Sequence, residues 1–176
     1  MRVEKRSDGD LNCEAWFSEE LPTPLYRYRL SRHWADPPHL VAWMLNPSTA
    51  DHEVLDNTIK GIETRAQAWG YGGLTVINLF AFRTKDPSLM KAAADPIGPG
   101  NDDVILDVLH AAAANGSMVL CAWGNHGAFR GRDKEAAVLA KKAGVGLKSL
   151  VVTQQNQPGH PLYVGHDVAP VPWPPE

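Results

Sequence analysis

Apolar residues along this chain collect in short unbroken runs, most of them separated by stretches with helical spacing. Leu40 to Leu45 is almost wholly apolar over a strand's length, which predicts a strand buried on both faces. Leu74 to Leu79, Met118 to Trp123 and Ser149 to Thr153 predict three more strands. After the first run, Asp56 or Asn57 can cap a helix that carries Ile59, Ile62, Ala66 and Trp69 on one stripe, and Gly70 can end it. A second helix is predicted from about Asp102 to Ala114, with Val104, Ile105, Val108, Leu109 and Ala112 inward, before Asn115-Gly116 stops it. A third, capped near Asp133, is expected to set Ala136, Ala137, Val138 and Leu139 against the sheet and to stop at Gly144. Leu25 to Leu30 alternates bulky and cationic side chains, the pattern of a strand with one wet face. Asp86 to Asn101, rich in proline, glycine and aspartate, predicts an ordered loop with at most a short helix.

Alternating strands and helices require parallel pairing through right-handed crossovers. The expected fold is therefore α/β: a three-layer sandwich around a central, mainly parallel four-stranded sheet in the order 2-1-3-4. Residues 1–169 are expected to form one domain, and residues 170–176, with four prolines, an extended or disordered tail. The 176 residues are enough for a proper hydrophobic core.

Composition narrows the function classes without selecting one. The net charge of -3 provides no broad drive toward nucleic acid or an anionic membrane, although a local basic face could still bind either. Cys13 and Cys121 lie far apart, and the second sits inside an apolar run, so a reduced cytoplasmic protein without a disulfide framework is expected. No signal peptide and no run of transmembrane length is evident, so no membrane partner is expected. Neither a strand-GxxxxGK[ST]-helix loop nor a GxGxxG after a strand occurs. Asp51, His52, Glu53, His126, His160 and His166 match no zinc spacing, so neither cofactor nor metal is expected.

Four segments end strand-like runs in polar tips: Leu45-Asn46-Pro47-Ser48, Asn78-Leu79-Phe80, Trp123-Gly124-Asn125-His126 and Gly159-His160-Pro161-Leu162. Taken singly, each has an ordinary explanation. Asn46-Pro47-Ser48 is a turn sequence, Gly124 a turn glycine, and His126 and His160 are loop histidines. Taken together they point to one pocket, because parallel strands bring their carboxyl ends to a single sheet edge. Asn78 lies between Thr-Val-Ile and Leu-Phe-Ala and must bond either backbone or ligand. An amide that both accepts and donates matches the N3–H and O4 edge of uracil or thymine.

Leu45 to Asp51, Asn78 to Arg83, Asp95 to Pro99, Ala122-Trp123-Gly124 and His160 to Tyr163 resemble an uncharacterised bacterial and phage family, domain of unknown function 1643. More distantly, the order of the tips is similar to the uracil-DNA glycosylase superfamily. That resemblance implies a water-positioning residue at Asn46-Pro47, a base-reading asparagine at Asn78, a tryptophan-glycine segment at Leu120 to Gly127, and a histidine near the base O2 at His160-Pro161. Ser48 stands where uracil-specific members place a tyrosine that excludes a 5-methyl group. The implied catalytic residues are Asn46, His160 and Asp51. The implied substrate-binding residues are Pro47, Ser48, Asn78, Phe80, Arg83, Gly124, Asn125, His126 and Tyr163.

The expected function is recognition of a nucleobase, with DNA or a nucleotide as partner and hydrolysis of an N-glycosidic bond as the possible reaction. The alternatives are a non-catalytic binder of a modified base or nucleotide, and a hydrolase of free nucleosides or nucleotides. A surface stripe of Arg27, Arg29, Arg32, Arg83, Arg130 and Arg132 would favour a polymer.

Overall fold

The computed structural model describes residues 1–48 and 57–175, and statements of absence below concern those residues. In chain order the elements are β1 (Arg2–Asp8), β2 (Leu11–Phe17), β3 (Arg27–His33), β4 (Leu40–Met44), α1 (Asn57–Ala68), β5 (Gly73–Asn78), α2 (Pro87–Ala92) and α3 (Asn101–Asn115). There follow β6 (Val119–Cys121), α4 (Arg132–Ala143), β7 (Leu147–Ser149) and β8 (Val171–Trp173). Short 3-10 segments occupy Asn125–Gly131 and Pro161–Tyr163.

All eight strands join one mixed sheet in the order β1-β2-β3-β5-β4-β6-β7-β8. The pairs β4/β5, β4/β6 and β6/β7 are parallel. The pairs β1/β2, β2/β3, β3/β5 and β7/β8 are antiparallel. This overturns the expected three-layer sandwich on a four-stranded, mainly parallel sheet in the order 2-1-3-4. Antiparallel strands extend the sheet at both edges, three on one side and one on the other. The segment 170–176 changes with it: Val171–Trp173 is the edge strand β8. Pro172 is tolerated there because an edge strand need not donate on its outer side.

Each face of the sheet carries its own core. Along β4, Val41 and Trp43 belong to one cluster, while Leu40, Ala42 and Met44 belong to the other. Side chains alternate across a strand, so a run with helices on both sides must be apolar throughout. α3 and α4 pack on the first face through Ile105, Val108, Leu109, Ala136, Ala140 and Ala143. α1 covers the second through Ile59, Ile62 and Ala66.

Three local expectations change. In α4 the buried stripe is Arg132, Ala136, Ala140 and Ala143, and Val138 is 66% exposed. Four consecutive residues sweep most of a helical circumference, so Ala136 to Leu139 cannot all face inward. The cap of α4 is Gly131 at φ 70°, and Asp133 instead accepts a 2.8 Å hydrogen bond from Gln157 Nε2. On β3 the cationic side chains do not form a wet face: Arg27 is 4% exposed, and Arg29 stacks over the Trp16 ring and donates to Ser31 Oγ at 2.8 Å. No described helix is long and apolar enough to cross a membrane.

Candidate functional site

The parallel strands β4, β5 and β6 deliver their carboxyl ends to one edge of the sheet, and β3, running antiparallel to β5, begins at that edge. A cavity of about 540 Å³ opens there. Met44, Leu45, Asn46 and Ser48 line it from the end of β4, Asn78 from β5, and Trp123 and Gly124 from the end of β6. His126 and His160 come from the loops beyond, and Arg27 arrives with β3. Thr58 and Ile59 on α1, Val76 on β5, and Thr84, Lys85 and Pro87 complete the wall. Aliphatic and aromatic surface with a few convergent polar groups, in this volume range, is the usual make-up of a small-molecule pocket.

Main-chain demands at the β5 tip are met by side chains from two helices. Asn101 Nδ2 donates to Asn78 O at 3.2 Å and Leu79 O at 3.3 Å, and Arg132 Nε donates to Leu79 O at 2.9 Å. The buried Arg132 guanidinium is held in turn by Asp102 and Glu135. The Asn78 side chain itself is treated differently. It is 2% exposed, its Nδ2 has no hydrogen-bond partner among the described residues, and it lines the cavity. A buried amide donor left unpaired costs the fold free energy and is uncommon in native structures.

Asn46 is committed on one side. Its Nδ2 donates to Thr84 O at 2.8 Å, Pro47 O at 3.2 Å and Phe82 O at 3.4 Å. Three carbonyl oxygens around one end of the amide fix which end is nitrogen. The carbonyl end, Oδ1, accepts nothing among the described residues.

The imidazoles are oriented by their Nδ1 atoms. His160 Nδ1 accepts from Leu162 N–H at 3.3 Å, capping the following 3-10 turn. His126 Nδ1 lies 3.1 Å from Lys91 Nζ. An ammonium only donates, so Nδ1 is the acceptor and the ring hydrogen sits on Nε2.

The cavity thus gathers Asn46, Ser48, Asn78, Gly124, His126 and His160. The other expected residues do not line it. Pro47 is buried and accepts from Thr84 N–H at 3.0 Å. Phe80 lies fully in the core, 5.9 Å from the Phe129 ring. Arg83 donates to Pro24 O at 3.0 Å and lies over the Phe17 ring. Asn125 accepts from Thr153 Oγ1 at 2.6 Å, and Tyr163 is 87% exposed. Asp51 lies outside the described residues. Cys121 is buried in the core, and burial pushes its thiol well up.

Sequence reasoning named Arg27 as part of a surface stripe and not as a lining residue, and it missed Thr84 and Lys85. The alternation around Arg27 carried a strand signal, but its position at the cavity edge depends on β3 running antiparallel to β5. Thr84 and Lys85 extend the polar tip that begins at Asn78.

An arginine stripe does not form. Arg27 and Arg132 are buried, Arg29 stacks on Trp16, Arg32 pairs with Glu63 at 2.5 Å, and Arg83 is tied to Pro24, which leaves Arg130 as the exposed one of the six.

The strand tips of a mixed sheet thus converge on a cavity of mainly apolar wall with a few polar groups. Residues 27–162 match a family described as protein of unknown function (DUF1643), and the chain belongs to that family. No curated protein and no solved structure matches it.

Proposed function

We propose that this protein recognises a pyrimidine-like nucleobase in the cavity at the strand tips, carried on a free nucleoside or nucleotide. The single observation behind this reading is the Asn78 amide. Its donor is buried without a partner among the described residues, on a residue that lines the cavity, and would be satisfied by an acceptor such as the O4 of uracil or thymine. Its own carbonyl would accept from N3–H on the same edge. Trp123, Met44, Leu45, Ile59 and Val76 supply apolar walls for a flat ring. The inward commitment of five of the six candidate arginines supports a small ligand over a long polymer.

Hydrolysis of an N-glycosidic bond is the second reading, favoured by the presence of Asn46 and His160 in the same cavity. Asn46 Oδ1 would accept a hydrogen bond from water and aim its oxygen at the anomeric carbon. The C–N bond would break as the C–O bond forms, and the base would leave as an anion stabilised by donors such as His160 and then take up the proton that the attacking water releases. An amide takes no proton at neutral pH, so Asn46 orients water and does not deprotonate it.

Titration calorimetry with uridine, thymidine, purine nucleosides, and single-stranded and duplex DNA tests the first reading, with chromatography for released base testing the second. Binding of pyrimidine nucleosides, lost in Asn78→Ala, is expected. Purine binding of equal strength, or pyrimidine binding indifferent to Asn78, would remove the proposal.

A further inference from the structure

Beside the cavity lies a group of cations that form no ion pair among the described residues. Lys85 lines the cavity, and Lys91 Nζ sits 3.1 Å from Nδ1 of the lining residue His126. Lys91 and Arg130 both approach the Phe129 ring, at 5.6 Å and 5.1 Å from its centroid. None of Lys85, Lys91 and Arg130 forms an ion pair among the described residues. The described cavity lining contains neither aspartate nor glutamate. In a chain of net charge -3, cations at one cavity mouth that are unpaired among the described residues are a local anion-attracting field.

We infer that Lys85, Lys91, His126 and Arg130 form a phosphate subsite, so that the ligand is a phosphorylated nucleoside. This rests on the base-recognition reading and extends it from the base to the other end of the same molecule. The two lysines and Arg130 supply charge. His126 supplies a neutral donor, because Lys91 occupies Nδ1 and leaves the hydrogen on Nε2. The subsite has few cations, because the other candidate arginines turn inward or stack on neighbouring rings. That geometry fits the single phosphate of a mononucleotide better than the repeating backbone of a polymer.

The test is calorimetry on the full chain with four probes: thymidine, thymidine 5′-monophosphate, inorganic phosphate and a single-stranded oligothymidylate. Exposed charge pairs are individually weak, so the phosphate's three cations should together make the monophosphate bind about tenfold tighter than thymidine at low salt. That advantage should shrink as salt is raised. It should also fall in Lys91→Met and in Arg130→Met, with Lys85→Glu as a charge-reversing third variant. The thermal midpoint of each variant separates lost contacts from lost folding. Equal affinity for thymidine and its monophosphate, in wild type of normal midpoint, would overturn the subsite. An oligonucleotide that binds more tightly than the mononucleotide would overturn the assignment to a free nucleotide. Phosphate binding that is lost in Lys91→Met, with no binding of thymidine, would uphold the subsite and overturn the base reading.

Discussion

Replacing Asn78 by leucine should make this protein more stable and less able to hold its ligand. The substitution keeps the number of side-chain heavy atoms, adds the bulk of two methyl groups on the cavity side, and removes both side-chain polar atoms from a position that is 2% exposed. In the ligand-free fold, Nδ2 is buried without a partner, and such a group costs about 1–3 kcal/mol. Removing it returns most of that cost. For a chain of this size, each kcal/mol moves the unfolding midpoint by about 2–4 °C, so a rise of roughly 2–12 °C is expected. The main chain is unaffected, because Asn78 O and Leu79 O keep their bonds from Asn101 and Arg132. Binding should move the other way. A ligand acceptor that loses its donor in a buried site is left unpaired, at a cost of about 1–3 kcal/mol, or roughly 5- to 100-fold in affinity. Differential scanning calorimetry reads the first effect and titration with thymidine the second. A destabilised Asn78→Leu variant with unchanged affinity would show that the amide serves the fold, and the functional reading of the cavity would fail with it.

Asn46→Asp installs the carboxylate that glycosylase-type water activation would need, yet it should destabilise the fold by about 2–3 kcal/mol. It replaces a donor to three carbonyl oxygens with an acceptor facing them, and urea unfolding is the measurement. Ser48→Tyr should fill the cavity wall and selectively weaken 5-substituted pyrimidines while sparing uridine, as compared by titration; equal loss for both would show that position 48 does not face C5. Burial, and then His39 and Arg29, lower the His33 imidazole from 6.5 to about 4 against the opposing pull of Glu14. The unfolded chain takes up this proton near 6.5 and the folded chain only near 4, so stability should fall as pH drops through that window. His33→Gln should flatten the fall in a series of melting curves.

Three of the core strands, β4, β5 and β6, were legible because their residues are buried on both faces and must therefore be almost wholly apolar, whereas β7 (Leu147–Ser149) shares only Ser149 with the expected run Ser149 to Thr153. β1 gave no such signal. Its sequence, Arg2–Asp8, is half-buried at two positions and otherwise exposed, and it holds its place by pairing with β2. A turn signal was present in Asp8-Gly9-Asp10, where Gly9 adopts φ 57° between the paired residues Asp8 and Leu11. β8 was masked by its prolines, although Trp173 is 6% exposed and meets the Trp123 ring edge-on at 5.0 Å. These two omissions concern edges, where long-range pairing overrides local pattern, and the interior strand β2, which buries Cys13, Ala15 and Phe17, was missed as well.

The cavity was partly legible for a related reason. Polar tips stand out when they follow runs that have no other polar residue, which is why Asn46, Asn78, Gly124 and His160 could be grouped before their positions were known. What a one-dimensional pattern could not separate was the work each amide does. Asn78 ends its strand in register with Met44, and Asn46 lies two residues past that point on the neighbouring parallel strand. Asn46 donates its nitrogen to three carbonyl oxygens, whereas the Asn78 nitrogen has no partner among the described residues. The acceptors at Asn46 come from Pro47 and from Phe82 and Thr84, a segment that returns past the first tip. Elsewhere at the β5 tip the fold spends Asn101 and Arg132 to satisfy two main-chain carbonyls. At this tip the main-chain carbonyls are met while two buried side-chain atoms, Asn78 Nδ2 and Asn101 Oδ1, have no partner among the described residues, and of the two residues Asn78 is the one that lines the cavity. Violations of that kind are expected at functional positions and are rare in the structural core.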